Sequence, residues 1–403
     1  MKKRVLCAAL SVLMISTAFT GCGKTTMSSS SSKQLTIWTN MEVEAKALQK
    51  MGDEWGKKSG YTVKVRHQSP SVQKFAQAVK SATGPDAVVG IPNDQLADYI
   101  NANLAMETPK DLFDEKEFSN AAVSACYVDG KKYAMPVSVE TNSLFVNTDK
   151  IKDVPGSWED LVKVAKDNGG VQFDATSIYY DLGFVRAQDG YIFKYEDGKY
   201  DVKDIGLNTD GAVKAYEFVN SLYKDYKFVS QDVTADIARS NFQNGKTAFY
   251  IGGPWDIDGF KSAGTKFKVV EMPKYNGKDF VTPVGTQVSF VSKKTSKSKA
   301  AWDFIKYVSS DGAEELYKVG NRIPAKLSEQ EKDSVKKDET MEAFIKQINH
   351  SEPMPTVSEM GQLWDIHTNN IRSMWGGKLT PKETADNITS QLKESIKLMD
   401  AGK

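Results

Sequence analysis

From Gln34 onward the chain alternates short apolar runs with stretches of helical periodicity, and this rhythm most narrows what it can fold into. Leu35-Thr36-Ile37-Trp38 reads as a strand, after which Ala45, Leu48, Met51 and Trp55 recur at helical spacing until Gly60. Val63 and Val65 alternate with polar neighbours as a second strand. Val72, Phe75, Ala76 and Val79 then mark one face of a second helix. Ala87-Val88-Val89 supplies a third strand, and Leu96, Tyr99 and Ile100 suit a third helix. A βαβαβ start implies a parallel sheet covered by helices on both faces.

The rhythm returns further on. Ser157 is a predicted N-cap with Asp160 three residues later, and Leu161, Val164 and Ala165 form the stripe behind it. Ala212, Ala215, Tyr216, Val219 and Leu222 predict a longer helix. Ile237, Ala238 and Phe242 predict a short helix ended by Gly245, with a strand over 247–251. Ala301, Phe304, Ile305 and Val308 predict another. In the last helix Thr380 is the N-cap, Pro381 occupies the first turn and Glu383 the capping-box position. Its stripe is Ala385, Ile388, Leu392, Ile396 and Met399. For a chain of 403 residues, two α/β domains are the natural reading.

The N-terminus carries a different message. Lys2-Lys3-Arg4 precede an apolar run from Val5 to Phe19, then Thr20-Gly21 and Cys22. A basic segment, an apolar run of about 15 residues and small residues at the end make a secretory signal, too short for a comfortable membrane span. Residues 1–21 are therefore expected to be removed, and 22–34, with serines at 28–32, to form a flexible tether. The Phe-Thr-Gly-Cys junction resembles a bacterial lipoprotein signal, which makes Cys22 the expected lipidation site and the extracellular face of the cell membrane the expected location. Losing Lys2, Lys3 and Arg4 leaves 50 basic against 52 acidic residues. That balance argues against a nucleic-acid partner. Of the three cysteines only Cys126 would then remain free, so no internal disulfide is expected.

Catalytic signatures are missing. The chain has no G-x-S-x-G, H-E-x-x-H or G-x-x-x-x-G-K-[ST], and His67, His350 and His367 stand far apart without ligands at metal spacing. A carboxylate pair for glycoside hydrolysis is open on composition alone, though nothing marks one out. Several aromatics stand beside turn residues instead of inside apolar stripes. Tyr179-Tyr180 follow the polar stretch 174–177, Trp255 follows Gly252-Gly253-Pro254, and Trp364 lies in what reads as a loop after Glu359. Loops at strand ends are where open α/β sheets place ligands. Flat aromatic faces pack on the C–H face of a sugar ring while carboxylates take its hydroxyls. On position alone a packing role stays open for Trp255 and Trp364, and Trp55, Trp158 and Trp302 suit helix cores.

Residues 35 to about 398 resemble the maltose/maltodextrin-binding proteins, the solute-binding subunits of ABC sugar importers. The resemblance runs through Leu35-Thr36-Ile37-Trp38, Thr83-Gly84-Pro85-Asp86, and residues 133–140 and 189–201. It continues in 242–248, Gly253-Pro254-Trp255 and Met354-Pro355 leading to Trp364. It implies a two-lobed periplasmic-binding-protein-like (type II) α/β fold with a hinge and a sugar cleft between lobes. One lobe would be 35–138 plus 289–327 and the other 142–285 plus 331–403, with crossings near 139–141, 285–288 and after Pro324. By the same resemblance Tyr179, Tyr180, Trp255 and Trp364 match aromatics that stack on glucose rings. Asp94 and Glu140 match carboxylates that bind hydroxyls, and Glu42 occupies another acidic position. The implied partners are a maltooligosaccharide and permease subunits, with the protein working as a monomer without cofactor or metal.

The chain departs from the family pattern along one wall. Gly90 stands where the family has an aromatic, Gln95 replaces a basic residue, Val43 a lysine, and Ser177 a glutamate. Maltodextrins remain the expected ligand. The alternatives are a xylo- or β-gluco-oligosaccharide, a secreted glycoside hydrolase and a starch-adhesion module.

Overall fold

Two β-sheets, each flanked by helices, organise the computed structural model, which describes residues 33–196 and 199–401. The signal segment, Cys22 and the serine run lie outside the described residues. In the first sheet the strands run in the order Ile323–Pro324, Met135–Glu140, Thr282–Val291, Ala87–Pro92, Gln34–Thr39 and Thr62–His67. The expected βαβαβ start is parallel, with Leu35 opposite Val63 and Ile37 opposite both Val65 and Ala87. The sheet as a whole is mixed, because Thr282–Val291 runs antiparallel to both Ala87–Pro92 and Met135–Glu140. The second sheet has the order Phe267–Val270, Ser143–Asn147, Phe249–Gly252, Val171–Gln172.

The helices form where apolar spacing and end signals agree. Ala45–Ser59 buries Leu48 and Met51 and stops at Gly60, whose left-handed backbone (φ 76°) lets its N–H reach the Gly56 carbonyl. Ser157 Oγ accepts the Asp160 N–H at 3.2 Å. Thr380 and Glu383 cap reciprocally, with Glu383 N–H on Thr380 Oγ1 at 3.2 Å and Thr380 N–H on Glu383 Oε2 at 2.7 Å. Trp158 and Trp302 are core residues, 0% and 2% exposed. Two local expectations shift. Ile237 is 38% exposed, so the Ala235–Gln243 helix buries Ala238 and Phe242 without it. The strand expected at 247 begins at Phe249, the first residue to pair with Val146.

The two sheets are joined by short buried segments. Glu140 ends a strand of the first and Ser143 begins one of the second, leaving only Thr141 and Asn142 between, both fully buried. Thr141 Oγ1 meets Thr282 Oγ1 at 2.7 Å and donates to the Pro283 carbonyl at 2.9 Å. Ser351–Pro353 pairs in parallel with Thr282–Val284, and the Met354 N–H donates to the Val284 carbonyl. Backbone polar groups that no sheet interior could satisfy are thus bonded to one another at the crossing.

Candidate functional site

Asp94 sits in the one-turn Asn93–Gln95 helix at the end of the Ala87–Pro92 strand. Asn93 fixes that turn. Its Nδ2 donates to the Met354 carbonyl (3.0 Å) and Thr356 Oγ1 (2.7 Å), and its Oδ1 accepts the Thr286 N–H (3.0 Å). A buried amide bonded to two crossing segments leaves the following carboxylate little freedom of place. Asp94 is half-buried, and burial pushes its carboxyl up to about 6. A backbone N–H and the Trp364 side chain nearby pull the other way, while Asp98 and Glu140 add to the rise.

Glu140 ends the strand Met135–Glu140, on the other side of Thr282–Val291 from Ala87–Pro92, and accepts from Gln287 Nε2 (3.0 Å) and Arg322 Nη1 (2.8 Å). The same guanidinium bonds through Nε to Glu44, which is 1% exposed. Burial opposes the charge on Arg322, yet the two carboxylates raise its already high pKa further. Glu44 and Arg322 were not among the residues selected from the sequence. Glu42, which was, is exposed, as is Val43 beside it (65%), and the acid turned inward from this segment is Glu44.

The aromatics come from the other sheet and its helices. Tyr179 lies at the start of the Ile178–Ala187 helix, capped by Ser177, and its carbonyl accepts from Asn142 Nδ2 at 3.1 Å. Its ring is 6.3 Å from that of Trp255 and 5.2 Å, edge to face, from that of Tyr180. Its buried hydroxyl has no hydrogen-bond partner among the described residues, and burial with Glu140, Tyr180 and Asp94 nearby raises its pKa well above the usual value. Tyr180 turns away into the core, 8% exposed beside Phe173. Trp255 rides on the Pro254–Asp256 turn, which the Asp256 carboxylate anchors from beneath. That carboxylate, 0% exposed, accepts from Arg239 Nε, Tyr250 Oη (2.8 Å) and the Gly253 N–H (3.3 Å). A side chain at Gly253 would penetrate the Trp255 ring.

Trp364 differs from expectation in its setting. It lies inside the Met360–Trp375 helix, not in a loop. Buried Met360, Leu363, His367 and Ile371 supply the helical stripe, and the exposed Gly361 and Gln362 that read as a turn are simply its outer face. Gly90 also has its own reason. Its φ of +72° disfavours any side chain, and a Cβ would press on Met41. The bare wall is therefore a backbone requirement of this strand.

The structure thus brings Asp94 and Glu140 of the first sheet together with Tyr179, Trp255 and Trp364 around the second, while Tyr180 packs against Tyr179 from the core side and Glu42 is exposed. Val139, Glu140, Trp255 and Arg322 share the wall of one narrow recess. A roomier cavity of about 590 Å³ lies elsewhere, against Pro353, Met354, residues 356–359 and Tyr127, Tyr195 and Tyr200, and none of the selected residues lines it. No group of three or more His, Cys, Asp or Glu among the described residues is placed to hold a metal.

Comparison with known proteins places this geometry. The family model of the bacterial extracellular solute-binding proteins matches residues 50–343. A galactooligosaccharide-binding protein of Bacillus subtilis (strain 168) is 29% identical, over 99% of this chain and 98% of its own. A maltooligosaccharide ABC transporter solute-binding lipoprotein of Streptococcus pneumoniae (strain ATCC BAA-255 / R6) is 27% identical, over 96% of each. The solved maltose-maltodextrin binding protein of Alicyclobacillus acidocaldarius superposes with a TM-score of 0.83 at 28% identity, covering 89% of this chain and 100% of its own. The two-lobed type II fold implied by the sequence is the fold observed, and the chain belongs to the bacterial extracellular solute-binding proteins.

Proposed function

We propose that the protein captures maltodextrins outside the cell, closes its lobes around them and delivers them to the permease of an ABC importer. The observation that supports this reading is the grouping of Asp94 and Glu140 from the first sheet with the aromatics Tyr179, Trp255 and Trp364 from around the second. Aromatic faces with fixed carboxylates suit a ligand whose rings are apolar on their faces and hydroxylated at their edges. Trp364, Trp255 and Tyr179 serve as platforms, and Asp94 and Glu140 as hydroxyl acceptors. The lobes follow the boundaries 35–138 plus 289–327 and 142–285 plus 331–403, and Cys22 carries the lipid that keeps the monomer at the membrane. It binds without performing catalysis. Names of relatives point to both malto- and galacto-oligosaccharides, and this makes a galactoside the second reading.

Calorimetry against maltose, maltotriose, maltotetraose, galacto-oligosaccharides and cello-oligosaccharides tests the reading. Maltotriose or longer should bind tightest and at one site. Tighter binding of a galacto-oligosaccharide would transfer the assignment to that ligand. Shorter products after incubation with maltotetraose would make the protein an enzyme.

A further inference from the structure

Beneath the platforms lies a buried polar cluster that the site itself does not use. Asp181 and His367 are both 0% exposed. His367 Nδ1 is 2.9 Å from the Thr176 carbonyl, and Thr368 Oγ1 donates to the same oxygen at 3.1 Å. A carbonyl only accepts, so Nδ1 carries the proton and Nε2 is left as an acceptor. Nε2 stands 3.9 Å from Asp181 Oδ2, and neither it, nor either Asp181 oxygen, nor the Tyr216 hydroxyl has a hydrogen-bond partner among the described residues. The Tyr216 ring is 5.8 Å from the imidazole. The other charge felt by Asp181 is Asp174, which is of like sign.

An ionised carboxylate and an unshared lone pair cannot face one another in a dry interior, so a proton must lie between them. A protonated Asp181 resolves the conflict, because its O–H faces Nε2, the acceptor that lacks a donor, 3.9 Å away. The direction of the titrations agrees: burial raises the Asp181 carboxyl well above its usual value and lowers His367 to about 4.

We propose that Asp181 is a positioning residue acting through His367: the pair clips the helix of Trp364 to the turn that starts the helix of Tyr179, and so fixes the distance between two sugar platforms. The sequence relation makes this possible. His367 lies one turn after Trp364, Asp181 two residues after Tyr179, and Thr176 immediately before the Ser177 cap. The inference rests on the oligosaccharide reading of these platforms.

The test compares Asp181→Asn, Asp181→Leu and His367→Phe in the full chain, using maltotetraose as the probe. Asparagine keeps an N–H donor without a charge, so its affinity should stay within about twofold of wild type. Leucine fills the space without a donor, and with His367→Phe should lose about tenfold at a temperature well below melting. Nitrogen NMR of His367 in the wild type should show the Nδ1–H tautomer, unchanged between pH 5 and 8. The proposal is overturned if asparagine and leucine variants bind alike, or if His367 titrates near 6.5 or carries its proton on Nε2. The NMR arm decides the matter even where the leucine variant does not fold. Wild-type protein that binds no oligosaccharide refutes the functional reading instead and leaves the tautomer result standing.

Discussion

Asp94→Asn should make the ligand-free protein more stable at neutral pH while weakening its hold on sugar. An ordinary aspartate titrates near 3.8, whereas burial carries Asp94 to about 6. A raised carboxyl contributes stability that is fully present below 3.8 and is lost as pH rises through about 6. A gap of about two pH units corresponds to about 3 kcal/mol, an upper figure because the group is only half-buried. Asparagine keeps the shape and sheds the charge, so its denaturation midpoint should overtake that of wild type between pH 4 and 7 and hold the lead above. The same change removes a charged acceptor from the cleft, and hydrogen bonds to charged groups contribute about 1.5–3 kcal/mol, or roughly 10- to 150-fold in Kd. Trp364→Phe, which deletes the indole N–H that lowers the Asp94 carboxyl, should push it still higher. Urea denaturation at pH 4, 6 and 8 together with calorimetry at pH 7.5 reads both effects. If the variant and wild type keep a constant stability difference across that range, Asp94 is not desolvated and the reasoning is wrong.

Other outcomes follow from the same geometry. Arg322→Met strands the buried Glu44 carboxylate, so it should destabilise by about 3–5 kcal/mol in urea, and Glu44→Gln on top should recover most of the loss. Arg239→Ala should do the same to Asp256 beneath Trp255, and adding Asp256→Asn should restore melting. Maltotetraose at a hundredfold excess over Kd should stabilise the fold by about 2.7 kcal/mol and shrink its radius of gyration in scattering, whereas a rise in melting with an unchanged radius would refute closure. Cys22→Ala should release the protein into the medium or leave it as precursor, and a wild-type protein that stays in the aqueous phase of a detergent extraction would refute the anchor.

How much of this was legible in sequence depends on how local the signal is. Caps and stripes are local: Ser157 with Asp160 and Thr380 with Glu383 announce their helices within four residues, and the structure makes those bonds. Trp364 misled because Gly361 and the polar residues around it mimic a turn, while the stripe that makes the segment helical, through His367 and Ile371, comes afterwards. The antiparallel insertion of Thr282–Val291 could not be read, since its partners lie some 150–200 positions away and each strand alone looks the same in either direction. Arg322 and Glu44 escaped for the same reason. Nothing near either in the chain hints at the other, and only the fold brings a pair separated by 278 positions into contact.

That distinction bears on how a sugar could be recognised. The aromatics were found because a large flat side chain beside glycine or proline is conspicuous; the groups that hold them still were not. Asn93 ties Asp94 to both crossing segments, Asp256 sets the turn of Trp255, and Arg322 joins Glu140 to Glu44. Each is a hydrogen-bonding group, buried at Asn93 and Asp256 and partly buried at Arg322, whose partners are fixed before any ligand arrives, and rigidly placed groups lose little freedom on binding. The nearness of Trp364 to Asp94 adds a second consequence, because the two come from elements around different sheets. On the proposed reading, a sugar hydroxyl bound by Asp94 would sit beside a ring face of Trp364 able to stack on the same sugar. A ligand touching both would then gain contacts from both sides of the cleft at once, and such a differential interaction is what closure around a ligand requires.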